Sequence, residues 1–366
     1  MTGVLRTVGS TAAATVREFA EIDLSSVRAR VALRVSLSVL VAATLAQMLR
    51  LDDVWWSAIS GFLASQATRP ESIRRSLLRI VGSTAGALSG CIVMALFAGD
   101  YVALLLALFI FGTVGVTGMS VANHGYAWML GGLTTNMIVI MAMNDPALTP
   151  FLAFDRVAGV VTGCAAAVTM ALMLAPRAEA APLPPPAPGW HDLLGTQWPA
   201  LVHGIRSGLT IMVMPLIWDL LDLPSLNQMA ITVIAVMAVP VTGQDADAVG
   251  AAVLGRGVQR IIGCLFGGVL GLLFLSAPLL AVYPFWLAAL FGGVWLCAWL
   301  QTSTRDIGYA AIQAAVVFIM TVVQGYGPSL SILPGIERFA GILCGLGALL
   351  VMGLMLWPVK RAAAPG

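Results

Sequence analysis

The sequence predicts an all-α membrane protein with about 12 transmembrane helices, arranged as two parallel six-helix repeats. Composition, the spacing of apolar runs and the similarity of the two halves lead to this prediction. Hydrophobic residues make up 59% of the 366 residues and charged residues only 10%, whereas soluble domains are about 25% charged. Because a helix needs about 20 residues to cross a bilayer, twelve of them use about 240. The remaining residues are too few to form a sizeable soluble domain.

A proline-rich stretch from Arg177 to Gly189 separates the chain into two halves. Proline-rich chain favours an extended conformation over a helix. We therefore expect a cytoplasmic N-terminal segment, a first membrane repeat, a cytoplasmic linker, a second membrane repeat and a cytoplasmic tail. Their predicted ranges are 1–30, 31–176, 177–200, 201–358 and 359–366.

Each half contains six apolar runs. Those of the first half fall at about 31–50, 54–69, 77–98, 101–122, 125–143 and 154–176. Those of the second fall at about 201–221, 226–241, 257–276, 284–303, 308–325 and 336–357. The second run of each half offers only about 14 residues, or about 21 Å of helix, against about 30 Å of hydrocarbon. Short spans at matching positions in two halves indicate a transport site. The alternative is a pair of helices that are only tilted or partly re-entrant.

Three sequence blocks recur in the same order in both halves. They are Arg79-Ile-Val-Gly82 with Arg260-Ile-Ile-Gly263, Gly125-Tyr126-Ala127 with Gly308-Tyr309-Ala310, and Asp155-Arg156 with Glu337-Arg338. Because each half has an even number of spans, both copies enter the membrane in the same direction. We therefore expect a pseudo-twofold axis along the membrane normal, with a path between the halves.

Glycines follow the first block of each half at intervals of four residues. They are Gly82, Gly86 and Gly90, and Gly263, Gly267 and Gly271. Small residues at this spacing let helix backbones approach closely inside a membrane. We interpret these glycines as packing contacts.

The basic residues predict the orientation of the chain. If the N-terminus is cytoplasmic, twelve spans leave only Arg50, Arg156 and Arg338 of the 19 Lys and Arg residues on the outer side. The positive-inside rule counts basic residues alone and selects this topology. Both termini are therefore predicted to be cytoplasmic.

Arginines at the cytoplasmic ends of spans and polar residues within spans are candidates for binding a substrate. A guanidinium binds a carboxylate through two hydrogen bonds, and polar side chains can line a path. The candidates are Arg34, Arg75, Arg79, Arg206, Arg256, Arg260, Ser57, Ser60, Thr68, Asn136 and Gln313. The alternatives are arginines that reach lipid phosphate and hydroxyls bonded to their own helix or to another helix.

Four titratable residues are candidates for proton coupling or gating. Ionisable groups within a membrane mark function, and histidine titrates near neutral pH. The candidates are Asp155, Asp219, Glu337 and His124. For Asp155 and Glu337 the alternative is a favourable contact with the helix dipole, and for His124 it is an interfacial histidine with satisfied hydrogen bonds.

The sequence contains no catalytic, nucleotide-binding or metal-binding motif. It lacks a zinc-protease motif, a nucleophile elbow and a Walker loop, and His124, His191 and His203 are too scattered for a metal site. We expect no enzyme activity, no catalytic residues, no cofactor and no metal. ATP hydrolysis by this chain is excluded as an energy source.

The repeated blocks resemble those of the fusaric acid resistance and aromatic acid exporter family of bacterial inner-membrane proteins. The resembling residues are Trp55-Trp56-Ser57-Ala58, the Arg79 and Arg260 blocks, the Gly-Tyr-Ala block and Gly243-Gln-Asp-Ala-Asp247. The resemblance implies efflux of aromatic or other organic acids across the inner membrane, beside a periplasmic membrane-fusion adaptor. A small organic anion and the lipid bilayer are the other expected partners, and no nucleic acid is expected.

Three functions are compatible with these features. The first is export of small organic, aromatic acids along a path between the repeats, driven by the proton motive force. The second is a passive organic-anion channel, since the sequence also has a distant likeness to plant malate channels. The third is a membrane scaffold that transports nothing.

Overall fold

A computed structural model describes residues 2–177, 187–221, 226–239, 241, 244, 246–276, 282–325, 327–328 and 333–356. Over these ranges the chain forms thirteen α-helices, one short 3-10 helix and one small β-hairpin. Eight of the helices in the described ranges are long and apolar enough to cross a membrane, and four further apolar helices are shorter. The chain is therefore an all-α membrane protein, as predicted.

The helices follow one another along the chain. In the first half they are α1 (Thr2–Ala20), α2 (Val27–Met48), α3 (Val54–Ala64), α4 (Arg69–Phe97), α5 (Tyr101–Val121), α6 (Gly125–Ala142), the 3-10 helix (Pro146–Leu148) and α7 (Thr149–Leu174). In the second half they are α8 (Trp198–Leu221), α9 (Leu226–Met237), α10 (Ala246–Leu275), α11 (Tyr283–Gln301), α12 (Gly308–Val322) and α13 (Leu333–Leu356). Between α12 and α13, β1 (Val323–Gln324) pairs antiparallel with β2 (Gly327–Pro328).

Each predicted apolar run coincides with one helix from α2 to α13. The largest differences lie at the N-termini of α4 and α10, which begin at Arg69 and Ala246 rather than near residues 77 and 257. Hydropathy misses these added turns because they carry charged residues such as Glu71 and Asp247. Pro70 in the first turn of α4 favours a helix start there.

The helix formed by the second apolar run of each half is shorter than predicted. The α3 helix has 11 residues and α9 has 12, so each rises only about 16–18 Å along its axis. Neither helix alone can span a hydrocarbon core of about 30 Å. Both end inside the bundle, beside the N-terminal part of the helix that follows.

Glycines bring α4 against α6 and α10 against α12. A β-carbon at Gly82 would collide with the backbone oxygen of Ala127, and one at Gly263 with that of Ala310. Only glycine allows this approach, so the glycines of the repeated blocks lie at helix–helix contacts.

Buried apolar side chains form two main clusters, and each joins both halves of the chain. One cluster contains residues of α2, α3, α11 and α12. The other contains residues of α4, α5, α6, α8, α9, α10 and α13. The direct contacts between the halves include α2 with α11 and α5 with α8. A cavity lies between the two clusters.

Candidate functional site: a cationic central cavity

The cavity has a volume of about 1430 Å³, and both halves line it. The first half supplies residues mainly from α3, α4 and α6, and the second half from α9, α10 and α12. Because α3 and α9 are short, the cavity is bordered by helix ends as well as by helix faces. Residues 187–188 of the linker also reach its wall.

The wall of the cavity carries positive charge. Among the described residues that line it there is no aspartate or glutamate, but there are six arginines: Arg74, Arg75, Arg79, Arg156, Arg256 and Arg260. Fixed charges of one sign in a low-dielectric cavity attract ions of the opposite sign. The cavity is therefore suited to an anion.

In the first half, two arginines one turn apart on α4 contact the same tyrosine. Arg79 donates through Nε to Ser60 Oγ (3.2 Å) and through Nη1 to the Tyr126 hydroxyl (2.9 Å). Arg75 donates to the Leu63 carbonyl (3.0 Å), and its guanidinium carbon lies 4.2 Å from the centroid of the Tyr126 ring. These contacts hold both guanidinium groups at the cavity.

The second half repeats this arrangement in part. The guanidinium carbon of Arg256 lies 5.2 Å from the centroid of the Tyr309 ring, and its Nη1 donates to the Ala238 carbonyl. Arg260 donates through Nη1 to Gln313 Oε1 (2.6 Å). The residue pairs Arg75–Tyr126 and Arg256–Tyr309 thus occupy corresponding positions in the two halves.

Arg156 lies in α7 and lines the cavity, although the sequence placed it with Asp155 at an outer helix start. Its side chain is 2% exposed, and its guanidinium carbon lies 3.4 Å from the centroid of the Trp56 ring. Asp155 instead accepts a hydrogen bond from the Asp52 backbone amide (3.1 Å). Neighbouring helix residues point in different directions, so the two members of the doublet have separate surroundings.

Six of the predicted residues line the cavity: Arg75, Arg79, Arg256, Arg260, Gln313 and His124. The other predicted residues are not among those that line it; these are Arg34, Arg206, Ser57, Ser60, Thr68, Asn136, Asp155, Asp219 and Glu337. Ser60 is nevertheless bound to Arg79. Arg34 donates to the carbonyls of Gln66 and Ala67, just after the end of α3.

The four residues predicted for coupling or gating are widely separated in the fold. Asp219 accepts a hydrogen bond from the Tyr101 hydroxyl (3.1 Å), far along α8. Glu337 is exposed on α13. His124 precedes α6 at the edge of the cavity. The described residues contain no group of three or more His, Cys, Asp or Glu that could hold a metal.

Sequence reasoning missed the aromatic residues of the cavity, Trp56, Tyr126 and Tyr309, as well as Arg74 and Arg156 as lining residues. The recurrence of Gly-Tyr-Ala in both halves was the available signal for the tyrosines. That block indicates a repeat and carries part of the family resemblance, but it does not by itself predict that the tyrosines line a cavity.

The fold and the cavity define a helical membrane protein built around an anion-attracting chamber. Residues 28–194 match the fusaric acid resistance protein family. The resemblance predicted from the sequence is therefore confirmed, and it covers the first half of the chain.

The chain is also similar to curated efflux proteins. It is 28% identical over 162 residues to the p-hydroxybenzoic acid efflux pump subunit AaeB of Yersinia enterocolitica serotype O:8 / biotype 1B. It is 27% identical over 164 residues to the subunit of the same name from Yersinia pestis strain Pestoides F. These matches cover 41% and 42% of the chain but only 25% of each relative, so the chain spans about a quarter of their length. No solved structure matches the chain.

Proposed function

We propose that this protein exports small aromatic carboxylic acids across the bacterial inner membrane, through the central cavity. The observation that carries the proposal is a cavity wall with six arginines and, among the described residues, no carboxylate. The rings of Trp56, Tyr126 and Tyr309 line the same cavity. A site for an aromatic acid needs both arginines and aromatic rings, because the carboxylate binds arginine and the ring of the acid packs on aromatic faces. The names of the similar Yersinia proteins support the same substrate class.

We further propose that the twelve helices α2–α13 are two parallel six-helix repeats related by a pseudo-twofold axis along the membrane normal. Support comes from matched contacts: α4 packs on α6 as α10 packs on α12, and α5 packs on α8 as α11 packs on α2. The proposed repeats keep the ranges 31–176 and 201–358, with both termini and the 177–200 linker in the cytoplasm. Residues 178–186 of this linker and the 359–366 tail lie outside the described residues.

The proposed energy source is the proton motive force. Of the four candidate coupling residues, His124 lies at the cavity, where its protonation would add positive charge next to a bound anion. A periplasmic membrane-fusion adaptor is the proposed partner on the outer side.

Replacing Arg79 and Arg260 by glutamine tests the role of the cavity. Hydrogen bonds to charged groups contribute about 1.5–3 kcal/mol each, so we expect the double variant to transport p-hydroxybenzoate at least about tenfold more slowly in proteoliposomes. Arg30→Gln is the matched control, because Arg30 is exposed and lies outside this cavity. Equal transport by the double variant and the control would contradict the proposal.

A passive organic-anion channel is the second candidate function. The observation that favours it is the lack of an aspartate or glutamate among the described lining residues, because a proton-coupled carrier commonly uses such groups. An uncoupler should abolish uphill accumulation by an exporter and leave downhill flux through a channel unchanged. A scaffold would show no flux in either condition.

A further inference from the structure

We propose that the cavity binds two monocarboxylates at once, one at Arg156 beside Trp56 and the other at Arg260 beside Gln313. This inference rests on the proposed function, since it assumes that organic acids occupy the cavity. Its basis is a pair of buried arginines with unused hydrogen-bond donors, one in each half of the chain.

The first site is the guanidinium of Arg156. The side chain is 2% exposed, and within the described structure its Nε and Nη1 atoms have no hydrogen-bond partner. The adjacent Asp155 is bound to the Asp52 amide (3.1 Å). A buried donor without a partner destabilises the folded protein, and more so when it is charged. A carboxylate can accept from two guanidinium N–H groups at once and would remove this cost.

The ring of Trp56 completes the first site. The Arg156 guanidinium stacks on this ring, and both residues line the cavity. Because Nε and Nη1 are shielded from solvent, the guanidinium must turn toward the cavity as the anion binds. The same turn would uncover the face of the indole ring for the aromatic part of the ligand.

The second site is the guanidinium of Arg260 in the other half. This side chain is also 2% exposed. Its Nη1 donates to Gln313 Oε1 (2.6 Å), whereas Nε and Nη2 have no partner among the described residues. Its counterpart Arg79 differs, because Ser60 and Tyr126 accept from its Nε and Nη1. The two halves therefore supply their unused donors from different helices, α7 and α10.

The volume and the charge of the cavity both permit two ligands. Sites for a single small molecule measure about 300–1,000 Å³, whereas this cavity measures about 1430 Å³. Six arginines in the wall outnumber the charges of two monoanions.

Equilibrium binding of radiolabelled benzoate to the detergent-purified full chain tests the proposal. We expect two molecules of benzoate per chain. Arg156→Gln and Arg260→Gln should each lower the stoichiometry to one, and the double variant should lose both sites. Arg30→Gln should retain two. Arg156→Lys keeps the charge but loses the bidentate geometry, so it should keep two sites and weaken one by about tenfold.

The possible failures are distinguishable. One benzoate per unmodified chain, or loss of all binding in either single variant, would overturn the two-site proposal and leave export intact. A chain that binds no benzoate would instead count against the proposed function itself. Size-exclusion profiles of the variants separate lost binding from lost folding, and Arg156→Lys tests the first site if Arg156→Gln does not fold.

Discussion

Two of the contacts between the halves, α2 with α11 and α5 with α8, are built differently. Where α2 meets α11, bulky side chains fill the contact. Val35 and Val39 of α2 and Trp286 and Leu290 of α11 belong to one buried cluster. The indole nitrogen of Trp286 donates to the Val322 carbonyl (2.8 Å).

Where α5 meets α8, the backbones themselves approach. Gly204 and Gly208 of α8 face Thr117, Thr113 and Phe109 of α5, and a β-carbon at Gly208 would collide with the Phe109 carbonyl oxygen. Several polar groups near this contact have no hydrogen-bond partner in the described part of the chain; they include the hydroxyls of Thr113, Thr117 and Ser207 and the amide of Asn136.

The α2–α11 and α5–α8 contacts also differ in the charged residues beside them. Beside the α2–α11 contact, the buried carboxylate of Glu18 in α1 pairs with Arg28 and with Arg305 (2.5 Å each) and accepts from Ser303 (2.7 Å). The Trp299 indole donates to the Glu18 carbonyl (3.2 Å). The comparison teaches that helix pairs at corresponding positions of the proposed repeats need not make the same kind of contact. The α5–α8 contact depends on the absence of side chains, whereas the α2–α11 contact depends on side chains and their charges.

The largest expected effect is steric and confined to the α5–α8 contact. Gly208→Leu forces a side chain into the Phe109 backbone, and overpacking costs about 1–3 kcal/mol or more. We expect the thermal unfolding midpoint in detergent to fall clearly. Gly250→Leu on α10 is the control, because in the described part of the chain no atom of another element lies within 4 Å of a β-carbon at Gly250. Equal midpoints for the two variants would show that α5 and α8 do not need this close approach.

The next effect is electrostatic and belongs to the α2–α11 side. Glu18→Gln removes two ion pairs from a carboxylate whose side chain is 1% exposed, although Arg28 and Arg305 are each 31% exposed. We expect a loss of about 2 kcal/mol in unfolding free energy, less than for a fully buried pair. Glu21→Gln serves as the comparison, since Glu21 is 57% exposed and should contribute below about 1 kcal/mol.

A smaller effect is a pH dependence limited to that same side. Burial of the Glu18 carboxyl favours its neutral form, but hydrogen bonds from Arg28, Ser303 and Arg305 outweigh this and lower its pKa below 4.5. A lowered pKa in the folded protein stabilises it at any pH above the unfolded value, and the stabilisation is lost as pH falls through the folded value. Unfolding midpoints should therefore lose this stabilisation only below about pH 4.5. Glu18→Gln should lack this step, and an unchanged profile would contradict the assignment.

The smallest effect concerns one end of the α5–α8 side. Trp190 of the linker contacts Trp128 of α6 at 5.0 Å between ring centroids. Trp190→Ala should lower the unfolding free energy by about 0.5–1.5 kcal/mol, measured beside Trp198→Ala, whose side chain is 49% exposed. A loss for Trp190→Ala no larger than that for Trp198→Ala would mean that the ring contact of the linker adds no stability of its own.

Most of the helical layout could be predicted from the sequence, because apolar runs report burial in lipid directly. The N-terminal turns of α4 and α10 could not be predicted, since they carry charged residues and their hydropathy is therefore that of a loop. Four of the six cavity arginines, Arg75, Arg79, Arg256 and Arg260, are predicted as candidates from the sequence, whereas Arg74, Arg156 and Tyr126 are not singled out as lining residues. Their roles depend on which helix lies opposite, and a single sequence does not encode that partner locally. The difference between the α2–α11 and α5–α8 contacts could not be predicted from the sequence for the same reason.

The shortness of α3 has a consequence for the arginines themselves. A helix that stops within the bundle leaves its last carbonyl oxygens without the water that would normally solvate them. Arg34 and Arg75 donate to carbonyls at and just beyond the end of α3, and Arg256 does the same after α9. Part of the positive charge at and near the cavity is thus used to satisfy the carbonyl oxygens at the ends of two short helices. Only guanidinium groups that do not bond to these helix ends are available to bind a transported anion.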